Sequence, residues 1–307
     1  MLNEFADLIL WGPKASGKTS FLGAFAKTLS YISVNNLKHD YRLFWYDPNA
    51  AGPYSTSLPN WNHEVSPNWS SEYEESTDTN TQGHKRYEFQ CLSRENNTVL
   101  DRYKIGAFDA GGDDLLSAVN PNSQYVDPIV RAYIDSSNSI IAIFDLEELI
   151  NNDASRQSNL EALRNLLHYV SSTHGSNADG GNVNLAICMN KIDLIDLRWE
   201  NPEIIYHIAF KEPLQNLERY YRGKLNVKVF ASSVMGFFEH NFSEYSNYNR
   251  DKRRPRFVDV WTPWNVHAPF FWIFEQWSRN KNQDTRQWLR SFLRQNENKS
   301  FYFRPFF

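Results

Sequence analysis

Short apolar runs alternate with amphipathic segments along most of the 307-residue chain. Apolar side chains recur at helical spacing just after Thr19 and again over residues 160–170, which predicts a helix in each place. We expect strands over residues 8–11, 42–46, 85–94, 99–108, 140–144, 183–189 and 227–230. Alternating strands and helices predict an α/β fold with a mainly parallel central sheet and helices on both faces. The turn-prone residues 95–97 predict one antiparallel edge strand.

Two segments interrupt this alternation. Residues 47–82 are rich in Ser, Thr, Asn, Pro and Glu, which predicts a long loop, and residues 235–264 form a polar insertion. Residues 269–277 are apolar on nearly every side, which predicts a buried helix. We therefore expect one domain over residues 1–279, followed by a C-terminal helix and aromatic tail, residues 280–307, packed on it. The alternative for this aromatic extension is a partner-binding face.

A glycine-rich loop with the pattern G-x-x-x-x-G-K-T lies between the first strand and the first helix. Glycines let the backbone wrap so that successive N–H groups point at phosphate oxygens, and the following helix adds its positive dipole end. We expect Lys18 to reach the β- and γ-phosphates and the Thr19 hydroxyl to bind Mg²⁺. The residues expected at the phosphates are Gly12, Lys14, Ala15, Ser16, Gly17, Lys18, Thr19 and Ser20.

A second motif, Asp-Ala-Gly-Gly, ends the strand predicted over residues 99–108. Asp109 at this position can hold Mg²⁺ through water, and the N–H of Gly112 can meet the γ-phosphate. The pattern is weak by itself, since it also marks ordinary turns. Its place after a strand and downstream of the glycine-rich loop favours the nucleotide interpretation.

A third motif, Asn-Lys-Ile-Asp, follows the apolar run of residues 186–189. The Asp193 carboxylate can accept the N1–H and 2-amino hydrogens of guanine, a pair of donors that adenine lacks. A mismatched base would leave a buried carboxylate unsatisfied, so base selection is sharp. Asn190 can brace the phosphate loop, and the Lys191 stem can cover the face of the base.

The three motifs in this order resemble the Ras-like GTPases of the translation-factor-related class of P-loop proteins. The resemblance covers about residues 5–235 and the helix over residues 269–277. It implies a Ras-like fold, GTP or GDP with Mg²⁺, and a turn at Ser232 and Ser233 whose backbone N–H meets guanine O6. It also implies a threonine that closes over Mg²⁺; the candidates are Thr81, which is best placed, Thr79 and Thr77. The inserts and the aromatic helix also resemble stand-alone bacterial GTPase domains encoded beside effector proteins.

Two departures from this family concern hydrolysis. Asp113 stands where the family usually has a glutamine that orients the attacking water, and a carboxylate there is repelled by the γ-phosphate. Lys14 stands in the phosphate loop where Ras has glycine; it either offsets developing charge or is a solvated side chain. We expect hydrolysis that is slow or completed by a partner.

Composition narrows the class of protein further. The net charge of −4 argues against a broadly basic nucleic-acid-binding surface. For the dense basic run at residues 252–256 a solvated loop is favoured, and the alternatives are contact with nucleic acid, an acidic protein face or a membrane surface. Cys91 and Cys188 lie in apolar strands, which favours reduced core thiols. No run approaches the length of a membrane span and the N-terminus lacks a secretory pattern, so we expect a cytoplasmic protein.

The expected function is a GTP-dependent molecular switch that controls a partner protein. One alternative is a structural subunit that holds the nucleotide with negligible turnover, which Asp113 favours. A second alternative is an ATP-using P-loop enzyme, against which Asn190 and Asp193 argue.

Overall fold

In the computed structural model, the residues described are 8–13, 16–35, 39–46, 56–57, 84–108, 137, 139–174, 183–195, 225–240, 243–250, 254–257, 261–278 and 302–303. The helices are α1 (Lys18–Asn35), α2 (Leu146–Asn151), α3 (Asp153–His174) and α4 (Ala268–Ser278), with a 3₁₀ turn at Ile192–Leu194. The strands are β1 (Leu8–Trp11), β2 (His39–Tyr46), β3 (Thr56–Ser57), β4 (His84–Ser93), β5 (Val99–Phe108), β6 (Ser139–Asp145), β7 (Val183–Asn190), β8 (Leu225–Ala231), β9 (Phe237–His240), β10 (Ser243–Ser246), β11 (Tyr248–Asn249), β12 (Arg254–Pro255) and β13 (Tyr302–Phe303).

A nine-stranded sheet forms the centre of the fold, in the order β13-β8-β7-β6-β1-β5-β4-β2-β3. The strands β8, β7, β6, β1 and β5 run parallel to one another. This confirms the mixed α/β fold with a parallel centre.

The predicted antiparallel pairing next to residues 95–97 is present between β4 and β5, but the sheet has more antiparallel strands than the one expected. Beyond β5, the strands β4, β2 and β3 each pair antiparallel with their neighbour, and β13 pairs antiparallel with β8 at the opposite edge. The eight residues of β2 pair with β4 along their whole length. The apolar pattern indicates a short strand at residues 42–46, but periodicity alone does not show which strand it joins.

The alternating side chains of the parallel strands bury two opposite faces of the sheet. Ile9 and Trp11 pack in one core with α2 and α3, whereas Leu8 and Leu10 pack in the other with α1 and α4. Helices therefore cover both faces, as predicted.

The helix α4 lies inside the second of these cores. Phe270 stacks on Phe25 of α1 with 3.8 Å between ring centroids, and Phe274 stacks on Phe89 of β4 at 4.6 Å. The side chains of residues 270–274 are all buried. These contacts favour core closure over a partner-binding face for the described part of this helix.

The two described residues of the tail lie at the edge of the sheet. Tyr302 pairs with Phe230 and Phe303 with Val229, so this part of the tail extends the sheet beside β8. The C-terminal helix predicted within residues 280–307 falls outside the described residues, and the division at residue 279 stays a prediction.

Both cysteines are free and buried. Burial raises the pKa of Cys91 to about 12 and that of Cys188 well above its ordinary value, so both are poor nucleophiles. Among the described helices, none combines the length and apolar character needed to cross a bilayer.

Candidate nucleotide-binding site

The strands β1, β6, β7 and β8 have their carboxyl ends at the same end of the sheet, and the candidate site lies there. Trp11 pairs with Ala142, Asp145 with Asn190, and Met189 with Ala231. The glycine-rich loop, the third motif and the Ser232 turn follow directly after these ends. Clefts beside the carboxyl ends of parallel strands are the usual ligand sites of α/β folds.

Both motif glycines in the phosphate loop are required by the backbone around them. A Cβ at Gly12 would lie 2.4 Å from the carbonyl oxygen of Ile143 and 2.7 Å from Ser16 Oγ. Gly17 has a φ of +88°, a conformation that side chains with a Cβ rarely adopt. The glycine spacing therefore reflects a close approach at one end of the loop and a left-handed turn at the other.

Lys18 lies beneath this loop at the start of α1. Its Nζ donates to the carbonyl oxygens of Gly12 and Pro13, at 2.9 Å each, and the side chain is buried. A buried ammonium group in contact with the loop backbone is placed to exchange a carbonyl acceptor for a phosphate oxygen. Ser20, in the first turn of α1, is half-buried.

Asn190 joins the third motif to the phosphate loop. Its Nδ2 donates to the carbonyl oxygen of Ser16 at 3.3 Å, across 174 positions of sequence. The predicted bracing contact is therefore present in the structure. The same Nδ2 would lie 3.1 Å from a Cβ at Gly17, so the brace also limits what that position accepts.

Three polar atoms around this brace are buried without a hydrogen-bond partner among the described residues: Ser16 Oγ, Asn190 Oδ1 and Ser232 Oγ. Buried polar atoms are usually paired, and leaving one unpaired is costly. A ligand with both donors and acceptors, such as a nucleotide, fits this set of atoms.

The Asp193 carboxylate is the most enclosed charged group of the third motif, with 6% of the residue exposed. The Ser233 hydroxyl donates to Oδ1 and the Ser246 hydroxyl donates to Oδ2, both at 2.6 Å. Burial raises the pKa of Asp193, while the two hydroxyls and the Lys191 charge act in the opposite direction. Burial dominates, so the carboxylate is harder to ionise than a free one.

Lys191 has a left-handed backbone conformation with a φ of 64°, and its ammonium group contacts Asp145 Oδ2. The other oxygen of Asp145 accepts the N–H groups of Glu147 and Glu148 and so caps α2. The Lys191 side chain therefore lies across the end of β6.

The turn after β8 differs from the expected arrangement in one respect. The Ser233 N–H, which we expect to meet guanine O6, donates to the carbonyl oxygen of Trp264 at 3.0 Å. Ser233 contributes its side chain to Asp193 instead. The Ser232 N–H donates to the carbonyl oxygen of Met189 at 2.9 Å, so this turn is fixed on β7.

Sequence reasoning missed two residues of this site. Asp145 had a signal, because an aspartate that ends an apolar strand and is followed by Leu-Glu-Glu is typical of a helix cap. Ser246 had none, because it lies in an insertion without a motif.

Several predicted site residues are not among the residues that the structure describes, so their roles stay predictions. They are Lys14, Ala15, Thr81, Asp109, Gly112 and Asp113, together with the Thr79 and Thr77 alternatives and the side chain of Thr19. Within the described part of the chain, no group of three His, Cys, Asp or Glu residues is arranged to hold a metal ion.

The chain matches no protein-family model and no curated protein. It is similar to the signal recognition particle receptor SRb-GTP/SRX complex from Chaetomium thermophilum, at 15% identity and a TM-score of 0.38, over 81% of this chain and 96% of that chain. The SRb-GDP-Mg structure from the same organism matches at 14% identity and a TM-score of 0.38, over 76% and 92% respectively. A likeness at this distance identifies neither a family nor a ligand for the chain.

Proposed function

We propose that the chain is a guanine-nucleotide-binding P-loop protein with a Ras-like arrangement of its site. The observation that carries the proposal is the hydrogen bond from Asn190 Nδ2 to the Ser16 carbonyl. It joins a loop suited to phosphate and a carboxylate suited to guanine into one continuous site. Two such elements in contact support a single ligand that has a phosphate end and a base end.

At the phosphate end, the residues of this chain bind and orient the ligand. We propose that backbone N–H groups of the loop between Gly12 and Lys18 bind phosphate oxygens. The Lys18 ammonium lies against the same loop, on the Gly12 and Pro13 carbonyl oxygens. Charge-assisted hydrogen bonds of this kind are stronger than neutral ones. Mg²⁺ would neutralise phosphate charge when bound; Thr19, Asp109 and Thr81 are the residues that we propose hold it.

At the base end, Asp193 provides the selection between guanine and adenine. Each carboxylate oxygen accepts one hydroxyl hydrogen in the structure, and a carboxylate has about four acceptor sites in total. Acceptor capacity therefore remains for the N1–H and 2-amino hydrogens of guanine. Adenine cannot supply this pair of donors, so the ATP alternative is disfavoured.

The proposal extends to a switch that acts on a partner protein. GTP would order the segments around Thr81 and Gly112, and hydrolysis would release them. Asp113 favours turnover that is slow or dependent on a partner, whereas Lys14 acts in the opposite direction if it offsets developing charge. An arginine supplied by a partner can be worth roughly a thousandfold or more.

The test of the nucleotide proposal compares ligands on one protein. We expect GTP and GDP with Mg²⁺ to raise the melting temperature and ATP to leave it unchanged. Asp193→Asn should lose the response to GTP and gain one to xanthosine triphosphate, because the new amide N–H can donate to the carbonyl that xanthine carries in place of the 2-amino group. A wild-type preference for ATP would overturn the proposal.

Turnover is measured separately, as single-turnover GTP hydrolysis by the wild type and Lys14→Ala. A slower variant would place Lys14 in the reaction, whereas equal rates would remove it.

A further inference from the structure

The insertion predicted at residues 235–264 reaches the base-reading carboxylate. In its described part, β9 and β10 form an antiparallel hairpin that ends at Ser246, and β11 pairs with β12. Ser246 Oγ lies 2.6 Å from Asp193 Oδ2, 53 positions away in sequence. A segment outside the three nucleotide motifs therefore contacts the group that selects the base.

The direction of this hydrogen bond follows from the partners of the hydroxyl. Ser246 Oγ accepts the N–H of Tyr248 at 3.1 Å, so its single hydrogen is available for Asp193. Ser233 is arranged in the same way: its Oγ accepts the N–H of Gly236 at 2.7 Å and donates to Oδ1. Two serines thus fix the two carboxylate oxygens, one from the turn after β8 and one from the insertion.

The position of Ser246 is itself fixed by the next residue. Asn247 is fully buried, and its N–H donates to the Gly236 carbonyl at 3.0 Å. Its side chain makes two hydrogen bonds with the backbone of Phe257, at 3.2 and 3.0 Å, and its carbonyl accepts the Arg256 N–H at 2.7 Å. Because both its backbone and its side-chain amide are hydrogen-bonded, this buried asparagine holds this part of the chain in one place.

We propose that Ser246 is a specificity-determining residue that holds the second oxygen of Asp193 in the orientation that reads guanine. The inference rests on the proposed guanine site and adds to it that base selection depends on the insertion. Without the Ser246 hydroxyl, Asp193 loses the side-chain hydrogen bond to Oδ2 and keeps the one from Ser233 to Oδ1, so the second oxygen is less restrained. A ligand that uses both oxygens then loses more affinity than a ligand that uses one.

The experiment measures the dissociation constants of GTP, ITP and ATP for the full-length wild type and for Ser246→Ala. Inosine lacks the 2-amino group, so it offers the carboxylate one donor in place of two. We expect Ser246→Ala to bind GTP about tenfold more weakly, the size of effect of one charged hydrogen bond, and ITP within about threefold. Ser246→Thr, which keeps the hydroxyl, should restore most of the preference for GTP over ITP.

Ser155→Ala is the matched control. The Ser155 hydroxyl donates to Glu148 Oε2 at 3.0 Å in an exposed position, so this variant removes the same kind of bond away from the base. It should bind all three nucleotides as the wild type does. If Ser246→Ala does not fold, Ser246→Cys replaces it, because it keeps the size of the side chain and donates weakly.

Each other outcome overturns the inference. Equal losses for GTP and ITP would show a purely structural role, unchanged constants would show no role, and tighter GTP binding would show that the hydroxyl blocks the site. If the wild type binds no GTP, the proposed function fails and the inference fails with it. If the wild type binds GTP and only the selectivity is unaffected, the inference alone fails.

Discussion

The two ends of the candidate site are built in different ways. The phosphate end is local: Gly12, Gly17 and Lys18 lie within one short stretch of chain, and the required conformations arise there. The base end is assembled from distant segments, because Asp193 is held by Ser233 and Ser246. The phosphate end is therefore limited by backbone geometry, and the base end by the docking of separate parts of the chain.

The difference also concerns charge. At the phosphate end, the Lys18 ammonium donates to the carbonyl oxygens of Gly12 and Pro13, and we propose that it meets phosphate there. The carboxylate at the base end receives hydroxyl donors and is buried enough that its pKa is raised, which suits a site for N–H donors. On the proposed function, the phosphate end depends on charge and the base end on hydrogen bonding, so we expect that each can be disrupted without the other.

The largest effect is expected from Gly12→Ala. The added Cβ would meet the Ile143 carbonyl at 2.4 Å, and relieving such a contact costs about 1–3 kcal/mol. We expect a lower free energy of unfolding in urea and no measurable GTP binding, because the loop cannot close over phosphate.

A second variant sharpens this result. Gly12→Ala combined with Ser16→Gly removes the side-chain obstacle at 2.7 Å and leaves the carbonyl obstacle in place. The double variant should therefore stay unstable. Recovery to wild-type stability would show that the backbone of β6 yields, and that the phosphate end is less rigid than its geometry indicates.

A smaller effect is expected from Lys18→Met, which removes charge and keeps much of the side-chain length. Losing charge-assisted bonds to phosphate should weaken GTP binding about 10- to 100-fold, since such bonds are worth about 1.5–3 kcal/mol each. The control is Lys27→Met on the same helix, whose ammonium lies over the Trp261 ring at 5.4 Å. Isothermal titration calorimetry compares the GTP affinities of the two variants. Equal losses of affinity would mean that the effect is not specific to the phosphate end.

The smallest effect is a pH dependence of stability that arises at the base end. The folded pKa of Asp193 is raised by burial above an unfolded value of about 3.9. Between the two values the folded protein binds more protons than the unfolded chain, so this group makes stability fall as pH rises through that window. Urea unfolding without nucleotide should show this slope in the wild type and a flatter one in Asp193→Asn. Equal pH slopes for the wild type and Asp193→Asn would contradict a folded pKa of Asp193 that burial raises.

The same comparison shows what the sequence could predict. The glycine-rich loop was recognisable because phosphate-binding loops require particular residues at fixed local spacing, and the Gly17 turn and the Lys18 position agree with that pattern. The parallel strands were recognisable because strands buried on both faces form continuous apolar runs. The Asn190 brace was predicted because it joins two motifs that are themselves local.

Contacts between segments that are far apart in sequence could not be predicted in this way. Nothing near Ser246 in sequence indicates that it meets a carboxylate 53 positions earlier, because that contact is set by the anchoring of Asn247. The hydrogen bond from the Ser233 N–H to the Trp264 carbonyl oxygen was missed for the same reason, because it also joins distant segments. The extra antiparallel strands were underestimated because strand pairing is a long-range choice that periodicity does not encode.

The pairing of β2 with β4 has a consequence for where this chain can accept insertions and deletions during evolution. Tyr46 is the register partner of Arg86, so the chain leaves β2 and enters β4 at neighbouring positions, and between them it adds the two-residue strand β3 beside β2. The entropy of closing a loop grows slowly with its length, by about 0.6 kcal/mol for each doubling. The sheet therefore sets little limit on the number of residues between these two points. Insertion or grafting of a reporter module within residues 58–76, between β3 and the threonines proposed to hold Mg²⁺, is compatible with this strand pairing, which makes that interval a natural place for new recognition properties to be acquired.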